Sequence, residues 1–94
     1  MEISSSDLNK MLLVAIENIK RYDVNVYTIH NDYYWTISAE DAVVMEKDLA
    51  LAVGSLIDDW ANLEKVINGK QTFTTVDLDR IVSILTFISK EIAA

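Results

Sequence analysis

Apolar residues recur every three or four positions at both ends of the chain, and a block of β-branched and aromatic residues interrupts that spacing between them. Leu8, Met11, Leu12, Ala15, Ile16 and Ile19 fall on one face of a helix that the pattern runs from about Ser5 to Arg21. Its start is written in capping grammar. Ser4 stands at the N-cap, Asp7 three residues on, and Ile3 is placed to staple onto Leu8. Lys20 and Arg21 close it, where cations suit the negative end of the helix dipole. The same grammar returns at Phe73-Thr74-Thr75-Val76-Asp77-Leu78 and, more weakly, at Ile37-Ser38-Ala39-Glu40-Asp41-Ala42. A last helix is therefore predicted from about Thr75 to Glu91. Leu78, Ile81, Leu85, Ile88 and Ile92 form its stripe, which Ile84 and Phe87 widen. A helix this apolar lies deep in a core or is shared with another subunit.

Asp23 to Ile37 reads differently. Val24 to Ile29 and Tyr33 to Ile37 are both rich in strand formers, with His30-Asn31-Asp32 between them, so a β-hairpin is predicted there. Side chains alternate along a strand, so Trp35 and Ile37 facing the core would bring Tyr33 with them and leave Tyr34 and Thr36 outside. Met45, Leu49, Val53, Leu56, Trp60, Leu63 and Ile67 could form one long helix. Gly54 interrupts it, however, and Ser55-Leu56-Ile57-Asp58 looks like a fresh helix start. A strand over Leu49 to Val53, followed by a helix from Ser55 to Ile67 and stopped at Asn68-Gly69, is the favoured reading. The fold class that follows is α+β and predominantly helical. It has an N-terminal helix, a small antiparallel β-hairpin or three-stranded sheet, then two C-terminal helices. The alternative is an all-α bundle with a hairpin insertion.

Tyr33-Tyr34-Trp35-Thr36-Ile37, the apolar stretch closing on Gly54-Ser55-Leu56, and Asp58-Asp59-Trp60-Ala61-Asn62-Leu63 together resemble a pattern in small bacterial proteins, many of them cyanobacterial. That pattern is YYWxI, then an apolar stretch ending GxL, then DDWxxL. The resemblance covers roughly the middle third of the chain. It implies a strand before the glycine, and it brings no activity with it.

Composition narrows the function classes. With 94 residues, no proline and no linker, the chain reads as a single domain over 1–94. The lack of cysteine excludes disulfides, thiolate catalysis and cysteine-held metals, and favours a reducing interior, so a cytoplasmic location is expected. No signal peptide is expected at the N-terminus, and no run of about 18 apolar residues marks a membrane span. The net charge is −7, and it is unevenly placed. Asp23 to Glu64 holds nine acids against the single base Lys47, while the two ends together carry six acids and seven bases. Such a field repels nucleic-acid phosphates and anionic lipid and attracts basic proteins. Acidity also simply keeps proteins soluble.

No arrangement of residues in the sequence carries a catalytic motif. His30 with Asp32 makes only two of the three or four ligands a metal needs, and reads as an exposed turn histidine. Asp58 and Asp59 are adjacent, so on a helix they point about 100° apart and favour the positive helix end rather than a shared substrate atom. Trp60 lies on the apolar stripe and reads as core. No glycine-rich phosphate loop or Gly-x-Ser-x-Gly elbow occurs. The expectation is a non-catalytic domain with no cofactor and no metal, neither nucleic acid nor membrane as a partner, and a basic protein as its target, in the manner of an inhibitor or immunity protein. The residues expected to touch that partner are Tyr27, Asp32, Tyr34, Glu40, Asp41, Asp58 and Asp59. The alternative is a homodimeric structural protein joined through the Leu78–Ile92 helix.

Overall fold

The structure, a computed structural model, describes residues 1–37 and 51–93. The order of elements is helix α1 (Ser5–Lys20), strand β1 (Tyr33–Ile37), strand β2 (Leu51–Ser55), helix α2 (Leu56–Ile67) and helix α3 (Thr75–Ala93). This is the α+β layout expected, with three helices and one small antiparallel sheet among the described residues.

The caps form as their residue types dictate. Ser4 accepts the backbone N–H of Asp7 at 3.0 Å and starts α1. At the start of α3 the Thr74 backbone N–H donates to the Asp77 carboxylate at 2.8 Å, so the acid at the third position holds the helix entrance. Ser55 accepts the Asp58 N–H at 3.2 Å and starts α2. The far end of α2 closes in a Schellman motif. The Gly69 N–H donates to Val66 O and the Lys70 N–H to Lys65 O, with Gly69 at φ 72°, in the left-handed region that glycine enters without strain.

The predicted hairpin between Val24–Ile29 and Tyr33–Ile37 is not what forms. Residues 24 to 29 make no strand. Strand β1 pairs antiparallel with β2 instead, with Tyr33 opposite Ser55, Tyr34 opposite Gly54 and Trp35 opposite Val53. The physical reason lies at Asp32. Its carboxylate accepts Ser55 Oγ at 3.0 Å and the Ile57 N–H at 2.7 Å, and its carbonyl accepts the Leu56 N–H at 2.9 Å. A residue read as part of a tight turn is committed to the start of α2, which brings β1 alongside the strand that feeds that helix. A strand before α2, rather than one unbroken helix, is borne out over Leu51–Ser55. The part of that prediction falling on residues 45 to 50 lies outside the described residues.

The core lies between α2 and α3. Leu56 and Leu63 are buried there, and Val66, Ile81, Ile84, Phe87 and Ile88 are half-buried around them. Trp60 was expected in this core, and it stands 41% exposed. The inner face of α2 runs Leu56, Asp59, Leu63, Val66, one position removed from the Leu56, Trp60, Leu63, Ile67 stripe that hydropathy selects. No helix of the described residues is long and apolar enough to cross a membrane.

Candidate interaction site

Strand β1 presents its two faces the opposite way round from the sequence expectation. Tyr33 and Trp35 are 70% and 69% exposed, and Tyr34 is the half-buried residue. The Tyr34 hydroxyl donates to Asp59 Oδ2, and Ser83 Oγ lies 2.6 Å from the same oxygen. Ser83 also stands 2.8 Å from the Arg80 carbonyl, so its single proton serves one acceptor at a time. Burial pushes the Tyr34 hydroxyl above the ordinary tyrosine pKa of 10.0, and its hydrogen bond to Asp59 adds to the shift. Gly54, the cross-strand partner of Tyr34, makes room for this arrangement. A Cβ at position 54 would overlap the Tyr34 ring.

Turning Tyr34 inward turns its neighbours outward. Tyr33, Trp35 and the cross-strand Val53 form an exposed face on the two-stranded sheet. Beside it an open cleft of about 1130 Å³ runs between β1 and α3, lined by Trp35, Val82, Thr86, Phe87 and Lys90 among others. Tyr34 and Ser83 also line it, and Asp79 stands at it as an acid.

One end of the cleft is bounded by His30. Its Nε2 sits 2.7 Å from Glu91 Oε1, and its ring meets Phe87 edge-on at 6.0 Å. This tethers the segment after α1 to the last helix. His30 keeps most of its side chain in solvent, as a turn histidine should. Next to it a smaller recess of about 400 Å³ is lined by Tyr22, Val24, Val26, Tyr27 and Ile92.

The seven residues expected to form a partner surface are scattered over different environments. Asp58 is exposed on the first turn of α2. Asp32 and Asp59 spend their carboxylates on internal hydrogen bonds. Tyr34 points inward, and Tyr27 is half-buried with its hydroxyl lacking a hydrogen-bond partner among the described residues. Glu40 and Asp41 lie outside the described residues. Tyr33 and Trp35, which sequence reasoning placed inside, are the most exposed aromatic side chains among the described residues, ahead of Tyr22, Phe73 and Trp60. The signal that could have found them is Gly54: a glycine paired with an aromatic residue marks where a ring lies across the strand. Among the described residues no three His, Asp or Glu side chains converge as metal ligands.

No protein-family model matches the chain, and it matches neither a curated protein nor a solved structure.

Proposed function

We propose that the chain is a small, non-catalytic, cytoplasmic protein-interaction domain that engages a basic protein, in the manner of an inhibitor or immunity protein. The observation that carries this reading is the exposed pair Tyr33 and Trp35 on one face of the sheet. Large aromatic side chains held rigidly by a strand give contact area at low conformational cost, and they are the residues that dominate binding energy in interfaces. The acid-rich stretch from Asp23 to Glu64 contains this strand, and its field would steer a basic partner toward it. Asp79 adds an acid along the cleft.

The test is to purify the chain with its bound proteins at low salt, identify them, and titrate the identified protein at low and high salt. A basic protein is expected, with affinity falling as salt rises and falling at least about tenfold in Trp35→Ala. A salt-insensitive complex, or one indifferent to Trp35→Ala, would overturn the reading.

A second reading, the homodimer, is favoured by a different observation. On α3 the apolar side chains of Leu78, Val82 and Leu85 step by four and three along the helix and are all exposed. Sedimentation measures this directly, and a strict monomer at high concentration sinks it.

A further inference from the structure

Helix α1 buries none of its residues. Leu8, Met11, Leu12 and Ile16 each stand about half exposed or more. An amphipathic helix of 16 residues is marginal in water unless something covers its apolar face. The α1 sequence is complementary to its own reverse. Laid antiparallel on a second copy about an axis passing between Leu13 and Val14, Leu8 faces Ile19 and Leu12 faces Ala15, so apolar meets apolar along the whole seam. The small Ala15 opposite Leu12 allows close approach of the two helices. The acidic first turn, carrying Asp7, lies toward the basic last turn of the other copy, carrying Lys20, and the two helix dipoles run in opposition. A parallel pairing would set Lys20 and Arg21 against their own copies. The exposed stripe of α3 has the apolar match but not the charge match: reversed about an axis between Ile81 and Val82, Leu78 faces Leu85 while Asp77 faces Thr86.

We infer that α1 forms an antiparallel two-fold seam with α1 of a second copy of this chain. The inference rests on the homodimer reading and moves its seam from α3 to α1. It is independent of any basic partner.

The chain has no cysteine, so an introduced one reports its position without interference. A rise of about 1.5 Å per residue sets the two copies of residue 12 about 4.5 Å apart along the seam, and the two copies of residue 8 about 16.5 Å apart. Under mild oxidation Leu12→Cys is expected to give a disulfide-linked dimer, and Leu8→Cys is not. Equal cross-linking of both, which a parallel seam would give, overturns the inference, and so does failure of both to cross-link. In sedimentation of the full chain, Leu12→Glu is expected to weaken the dimer at least about tenfold. Val82→Glu is expected to leave the dimer unchanged. A dimer dissolved by Val82→Glu and untouched by Leu12→Glu overturns this seam while the homodimer reading survives. A strict monomer overturns both. If Leu12→Glu does not fold, the two cysteine variants decide.

Discussion

At Tyr34 the sheet and α2 meet through a hydroxyl that donates to Asp59, with Ser83 beside the same carboxylate oxygen. A half-buried hydroxyl next to a carboxylate loses water on folding, and the hydrogen bond offsets that loss. Tyr34→Phe is therefore expected to cost about 1 kcal/mol in urea unfolding. The bond also gives stability an alkaline limit. The folded-state pKa of Tyr34 is raised above 10.0, so this contribution is fully present below the unfolded value and is lost as pH rises through the folded one. The Tyr34→Phe variant should lack that alkaline decline. Gly54→Ala is expected to be the harsher change, costing about 1–3 kcal/mol, because its methyl group competes with the ring for the same space. Asp77 supplies the acid limb. The Thr74 backbone N–H, then Arg80, hold its carboxyl below the ordinary aspartate value of 3.8. That contribution is present above the unfolded pKa and is lost as pH falls through the folded one. Asp77→Asn should flatten the stability profile below about pH 4, as followed by thermal unfolding across that range.

At the scale of elements, the start of α2 is held twice, by its own Ser55 and by Asp32 reaching in from the far side of β1. Asp32→Ala removes the acceptor of the Ile57 N–H and should cost about 1 kcal/mol, within the range measured for lost caps. It should also loosen β1 from β2, visible as faster amide exchange at the paired positions near Tyr33 and Ser55. The helices themselves were legible because their ends obey local rules. Ser4 with Asp7, Thr74 with Asp77 and Asn68-Gly69 each satisfy backbone groups with residues a few positions away, and sequence shows such neighbours directly. The strand pairing was not legible, because Val24–Ile29 and Leu51–Ser55 offer β1 similarly apolar partners. Asp32 capping a helix 25 residues away is a contact no periodicity records. The faces of β1 and α2 were misread for one shared reason. Hydropathy puts Trp35 and Trp60 inside and Tyr34 and Asp59 outside, whereas the Tyr34–Asp59 bond turns the polar pair inward and both tryptophans toward solvent.

For the molecule as a whole, burial is thin. Among the described residues Leu56 and Leu63 are the hydrophobic side chains that are buried, while α1 buries nothing and α3 leaves Leu78, Val82 and Leu85 in solvent. Marginal stability is the rule for a domain of this size even with a full core. If a second copy covers α1, folding and association are one equilibrium, and stability must depend on protein concentration by mass action. Each tenfold rise in concentration then adds about 1.4 kcal/mol to the folded dimer. Spread over the unfolding entropy of two chains, that raises the thermal midpoint by about 3–5 °C. A midpoint independent of concentration would mean that each chain folds alone. The Leu12→Glu variant sharpens the comparison. It should unfold at a lower midpoint that moves less with concentration, because the dissociated variant chain is left with only what α2, α3 and the small sheet provide. Trp35→Ala should keep the full concentration dependence of the parent chain, since its side chain stands on the sheet face and not on α1. The two exposed surfaces are thereby separable: one sets how the chain meets its own copy, the other how it meets a basic partner.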